Sequence, residues 1–194
     1  MKQTPERKTD RRTLYTRQQI KDSIFQLLKK KAFSKITVTE VCQLAEINRG
    51  TFYLHYLDME DALDDILSDI LCDTSSVFDH VFCPNQAACT YPFCDKIQNN
   101  EKYQLLFLDD SISGRLLDKL ADYYKEGYVT YLMSHSLLTF QEAEAIFYFQ
   151  MNGCLTVNKI MLRNKCPDWR KIQRVIDGFI RAGLESYLIR DQRP

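Results

Sequence analysis

The sequence predicts an all-α protein, with a small N-terminal helix-turn-helix head of three helices and a larger helical body. Three observations carry this. Apolar residues recur at helical spacing along most of the chain, as one buried helix face requires. No run alternates apolar and polar residues between hairpin-type turns, so no strand is expected. The stretch Thr37–Tyr56, TVTEVCQLAEINRGTFYLHY, reads as two short helices around a tight turn. With 194 residues and 45% hydrophobic content, the chain can bury a substantial core.

Residues 1–15 carry Lys2, Arg7, Lys8, Arg11 and Arg12, and read as a mobile basic arm. The head is expected over 16–57. Its first helix runs from about Thr16 to Ala32, with Ile20, Ile24, Leu27 and Leu28 on one face. Lys29-Lys30-Lys31 falls at its C-terminal end, where cations complement the helix dipole. Thr37 and Glu40 then form a Thr-x-x-Glu capping box, each side chain satisfying an amide at the helix start. Val38, Val41, Leu44 and Ala45 follow as its buried face, Glu46-Ile47-Asn48 makes the turn with Ile47 as an apolar plug, and Asn48 caps the next helix. Arg49, Gly50 and Thr51 form the first turn of that helix, where exposed amides favour a phosphate.

The body is expected over 58–194. A long helix begins after Asp58 with Glu60 and Asp61 in its first turn, and its apolar stripe continues to about Phe82. Residues 83–99 hold two prolines and read as a loop. A short helix is expected over Glu101–Asp109, and one long or two broken helices over Ile112–Met133. Thr139–Asn164 is apolar nearly all round and should be buried on most sides. Pro167 suits the first turn of a final helix, since its missing amide costs nothing there. That helix carries a broad stripe including Ile172, Ile176, Phe179, Gly183 and Tyr187. A lone copy would struggle to cover these last two helices, so a two-fold homodimer through them is expected.

Net charge is zero, but its distribution is not uniform. Residues 1–56 hold 12 Lys/Arg against 5 Asp/Glu, net +7, and residues 57–194 hold 14 against 21, net −7. Such asymmetry points to a nucleic-acid-binding end. An enzyme is disfavoured: the histidines are His55, His80 and His135, with no nucleophile motif, phosphate loop or His-x3–5-His pair. No cofactor and no metal are expected. The opening residues MKQTPERKTD lack an apolar core to follow them, and no run of about 18 apolar residues exists, so a cytoplasmic chain with no membrane partner is expected. The seven cysteines are then read mostly as free thiols. A metal or redox role for Cys83, Cys89 and Cys94, near Cys72 and His80, remains the alternative, while Cys42 and Cys154 read as core.

Thr37-Val38, Ala45, Ile47-Asn48, Gly50-Thr51-Phe52-Tyr53 and His55-Tyr56, with the acidic-start helix that follows, closely resemble the DNA-binding domain of the TetR/AcrR family of transcriptional regulators. The resemblance is strong over about a quarter of the chain, and its Ile-Asn-Arg wording looks most like a branch that includes an activator of dihydroxyacetone kinase genes. It implies a homodimer on double-stranded DNA, with each third helix in a major groove of a palindromic operator and a small-molecule effector in the body. It implies repression, with activation as the alternative; a helical interaction adaptor without DNA binding is the other-class reading. Carried over by position, Thr39, Asn48, Arg49, Gly50, Thr51, Tyr53, His55 and Tyr56 would meet DNA, and Phe52 would be core. Arg49 can read guanine bidentately or hold a phosphate. The chain departs from the family in having Glu46 where Gly is common and Met59 where Lys is common. For the effector, the expected site is a pocket between body helices lined by Tyr103, Phe107, Tyr124, Tyr128, Phe147 and Met151, with Asn152 as its polar contact.

Overall fold

The structure is a computed structural model that describes residues 6–78 and 96–187, with side chains at 11–72 and 96–187. The described residues are helical with no strand, so the fold is all-α. They form α1 (Glu6–Leu28), α2 (Val38–Leu44), α3 (Arg49–Tyr53), α4 (Met59–Phe78), α5 (Glu101–Leu108), α6 (Asp110–His135), α7 (Phe140–Arg163) and α8 (Trp169–Glu185). A single 3-10 turn, Phe33–Lys35, follows α1. The chain divides into two compact units between Ile70 and Leu71, within α4, rather than at the expected 57/58 boundary. Among the described residues no helix is long and apolar enough to cross a membrane.

In the first unit α1 begins ten residues earlier than the expected Thr16. Residues 6–15 are therefore helix and not a mobile arm; Lys2 lies outside the described residues. Leu14 and Tyr15 stay exposed, so their burial does not cause this. The segment from Glu6 onward contains no Gly or Pro, and its Glu, Arg and Lys residues are good helix formers that extend a helix already nucleated downstream. The helix also ends sooner than expected, at Leu28, so the three lysines follow its last turn.

Ile20 and Ile24 of α1, Val41 and Cys42 of α2, Phe52 of α3, and Leu63, Ile66 and Leu67 of α4 make the core, each 4% exposed or less. Leu44, expected on the buried face of α2, is 43% exposed. The turn that follows explains it. Ile47 N donates to Cys42 O at 3.0 Å and Glu46 N to Gln43 O at 3.4 Å, the paired closure of a Schellman motif. That closure swings the chain away just after Leu44, and it puts Glu46 in the left-handed region at φ 54. This is the position of such a closure where glycine is usual.

In the second unit α6 and α7 pack together, α5 packs against both, and α8 packs on α7. The core includes Leu106, Ile112, Leu116, Leu120, Phe147 and Trp169. Residues 96–99 are helical and Ile97 is fully buried, so the expected 83–99 loop is wrong at its end; residues 83–95, and Phe82, lie outside the described residues. The Ile112–Met133 region is one unbroken helix. Thr139 caps α7 through a second capping box with Glu142. After α7 another Schellman closure, Cys166 N to Met161 O at 3.1 Å, sets Lys165 at φ 47. Pro167 then sits in the connecting turn, and the helix starts two residues later than expected, at Trp169.

Replacing Glu46 with Gly should relieve the left-handed strain, worth about 1–2 kcal/mol, against about 0.5–1 kcal/mol of extra chain entropy. The expected net gain is about 0.5–1 kcal/mol in urea unfolding of the Glu46→Gly protein; a loss of stability would show that the turn is held by the Glu46 side chain.

Candidate nucleic-acid interface

The head is built by caps. Glu40 N donates to Thr37 Oγ1 at 3.3 Å and Thr37 N donates to Glu40 Oε2 at 3.0 Å, the reciprocal box expected from sequence. Lys31 Nζ adds an ion pair to Glu40 Oε1 at 2.6 Å. Hydrogen bonds from Lys31 and then from Thr37 lower the Glu40 pKa to about 2. At α3, Thr51 N and Thr51 Oγ1 both donate to Asn48 Oδ1, at 2.7 and 3.1 Å. A Cβ at position 50 would lie 3.1 Å from that same oxygen, so Gly50 leaves the cap its room.

These caps fix the phase of α3 and divide its residues among three faces. The inner face is Phe52, fully buried and 5.8 Å from the Tyr56 ring. A second face looks onto an open groove of about 1030 Å³, lined by Asn48, Thr51, Leu54 and His55, by Glu46 and Ile47 of the turn, and by Arg12, Thr13 and Thr16 of α1. Ile47 is thus a groove wall, only partly covered, rather than a buried plug. The third face carries Arg49 and Tyr53, both exposed. Arg49 Nη2 donates to Tyr53 Oη at 3.3 Å, and its guanidinium lies 5.9 Å from the Tyr53 ring centroid. That hydrogen bond raises the Arg49 pKa further. Thr39 on α2 and Gly50 are exposed, while Thr51 and His55 are partly so.

Tyr56 requires a correction. It is 2% exposed and so does not face a nucleic acid. Its hydroxyl donates to Asp65 Oδ2 at 2.6 Å. Asp65 also accepts from Arg17 Nη2 at 2.8 Å and Lys21 Nζ at 2.7 Å, while Lys21 pairs with Asp69 at 2.5 Å. The Arg17 guanidinium stacks on the Tyr56 ring, 5.3 Å from its centroid. Burial, then the bond to Asp65, pushes the Tyr56 hydroxyl pKa well up. Burial alone would raise Asp65, but hydrogen bonds from Lys21, Tyr56 and Arg17 outweigh it and hold the carboxyl below its ordinary value. Sequence reasoning missed Asp65, Arg17 and Lys21; the only signal was acidic and basic residues on the inward side of two amphipathic helices.

In the second unit the expected pocket residues Tyr103, Phe107, Tyr124, Tyr128, Phe147 and Met151 are all buried, 7% exposed or less. Tyr128 Oη donates to Gln150 Oε1 and the Tyr128 ring lies 5.4 Å from Phe147. Asn152 does not join them. It is exposed, with its amide donating to Tyr148 O at 2.8 Å, because it lies about 100° round the helix from Met151. The buried amides are instead Asn158 and Gln173, the second of which, with Trp169 Nε1, finds no hydrogen-bond partner among the described residues. On α8, Phe179 is 67% exposed, with Gly183 open and Ile172 and Ile176 half-buried; Tyr187, expected on this helix, lies in the turn after its end at Glu185 and is 54% exposed. Phe149 of α7 is also exposed, so that helix is buried on one side only. Cys42 and Cys154 are buried, and burial pushes the Cys42 thiol pKa up. Cys83, Cys89, Cys94 and His80 lie outside the described residues, and among those described no group of three or more potential ligands could hold a metal.

No family model matches the chain. It is 33% identical over 52 residues to an uncharacterized HTH-type transcriptional regulator, YxbF, of Bacillus subtilis (strain 168). That match takes in 27% of this chain and 14% of the relative, so the chain spans a small part of that protein's length. Among solved structures, the dihydroxyacetone kinase operon activator DhaS aligns over 91% of this chain and 99% of its own, with 16% identity and a TM-score of 0.46.

The Asp65 cluster makes a signed prediction. A carboxyl with a depressed folded pKa stabilises above its unfolded value, here about 3.8, and loses that contribution as pH falls through the folded value. Asp65→Asn should cost about 2–4 kcal/mol at pH 7 by stranding Arg17 and leaving Lys21 only Asp69. The gap between variant and parent in thermal unfolding should narrow below pH 3.8. A gap that widened on acidification would reverse the assignment.

Proposed function

We propose that this chain is a DNA-binding transcriptional regulator of the TetR/AcrR type, acting by binding and not by catalysis, in the cytoplasm. One observation carries the reading. The capped α2–turn–α3 unit buries Phe52 and turns Arg49, Thr51, Tyr53 and His55 outward, on the net +7 end of a neutral chain. This is the geometry by which a short helix is offered to a major groove. Arg12, Thr13 and Thr16 face α3 across the groove and suit the adjoining phosphate backbone. The sequence relative of this chain is itself described as HTH-type.

The regulator works as a homodimer on a palindromic operator. The exposed Phe179, Gly183 and Tyr187, beside the half-buried Ile172 and Ile176, are the support for that, since exposed apolar surface of this kind marks an interaction site. It represses, and a small molecule entering the aromatic body releases it. The Gln173 amide and Trp169 indole, without a hydrogen-bond partner among the described residues, are the polar groups such an effector would satisfy, because a buried group left unsatisfied costs about 1–3 kcal/mol.

Genomic fragments retained by the purified protein test the reading, followed by titration of the selected site at rising salt. A dimer closing about six phosphate contacts should lose about 10³-fold in affinity between 50 and 200 mM salt. Thr51→Ala should weaken the binding with the dimer intact. Retention of no fragment at low salt would favour a protein-interaction adaptor.

Charged replacements at Ile176 and Phe179 should halve the mass seen in sedimentation. A mass that stayed at dimer would move the interface off α8.

A further inference from the structure

Arg49 differs from Arg17 of the same head in what holds it. Arg17 is committed to a carboxylate, Asp65, and to the core. The Arg49 guanidinium instead donates to a neutral phenol, that of Tyr53, and pairs with no carboxylate among the described residues, so its charge is held in place and not neutralised. Its position is also determined. The Asn48 cap fixes the first turn of α3, Tyr53 stands one turn on, and Gly50 puts no side chain beside it. The phenol oxygen accepts from one terminal nitrogen, Nη2, and leaves the remaining N–H groups of the planar fork open. An arginine side chain loses rotamer freedom when fixed; a ring that holds it beforehand reduces that loss at the moment of contact.

We propose that Tyr53 is a positioning residue that aims Arg49 at a guanine edge, so that the pair sets selectivity at one base pair of the DNA site. This rests on the DNA-binding reading above. The two acceptors on the major-groove edge of guanine, O6 and N7, match the free fork in both spacing and plane. Tyr53 acts through Arg49: it contributes the shelf and one hydrogen bond, and its variants change discrimination more than general affinity. A phosphate-holding Arg49 would behave in the opposite way, weakening all sequences alike.

The experiment uses the full chain and a random-sequence duplex DNA library to recover the preferred site. Affinities are then measured at fixed salt for every single-base-pair variant of that site, with the parent protein, Arg49→Lys, Tyr53→Phe and Tyr53→Leu. At one G·C pair in each half-site the parent should discriminate about tenfold or more. Arg49→Lys, which keeps the charge and loses the fork, should abolish that preference. Tyr53→Leu should reduce it nearly as far with the salt slope unchanged, and Tyr53→Phe, which keeps the stack and loses the hydrogen bond, should fall between. Circular dichroism and sedimentation confirm that each variant keeps the parent's fold and assembly. A Tyr53→Leu protein with parental discrimination at every position, or with a uniform loss across all sequences, overturns the proposal and leaves DNA binding standing. A parent that selects no sequence from the library overturns the DNA-binding reading and the proposal with it.

Discussion

The head depends on one carboxylate. Asp65 gathers Arg17 and Lys21 from α1 and the Tyr56 hydroxyl from the end of the helix-turn-helix, three donors from two directions on a single side chain that is 18% exposed. Apolar packing brings the same helices together, but it is non-directional and tolerates sliding. The charged hydrogen bonds are directional and set the register of α1 against α4. Such a cluster is a weak source of net stability, since each ion gives up hydration to enter it. Its contribution is geometric. With Tyr56 tied at one end and Asn48 capping the other, α3 is clamped at both termini despite having only five residues. Alone in water a helix that short would not form.

What could be read from the sequence was whatever depends on residues near one another along the chain. The Thr37–Glu40 box, the Asn48 cap and the burial of Phe52 follow from short-range chemistry, and the structure has them as expected. Tyr56 did not follow. Tyr53 and Tyr56 both trail Phe52, and nothing local says which goes inward. Arg17 and Asp65, 39 and 9 residues away, decide it. The start of α1 was hidden for the converse reason: its Glu, Arg and Lys residues leave no apolar periodic signature, only backbone propensity.

The second unit shows the limit of pattern reading on an apolar helix. Along α7, apolar residues occur all round, so the sequence does not give its rotational phase. Choosing Asn152 as the inward amide was a choice of phase, and it was wrong by about one residue's rotation. The buried face holds Phe147, Met151, Cys154 and Asn158 at steps of three and four, and leaves Phe149 outside. Chain termini and turns were more legible, because Thr139 announces its cap locally.

Glu46 has a consequence beyond the strain of its turn. It lines the same groove as Arg12, Thr13, Thr16 and His55, and so puts a negative charge among lining groups that are otherwise neutral or cationic. Any polyanion drawn in by the surrounding field meets a local repulsion at close range. Attraction governs how fast such a partner arrives, and the carboxylate sets a ceiling on how long it stays. A head with glycine there would hold harder and let go more slowly.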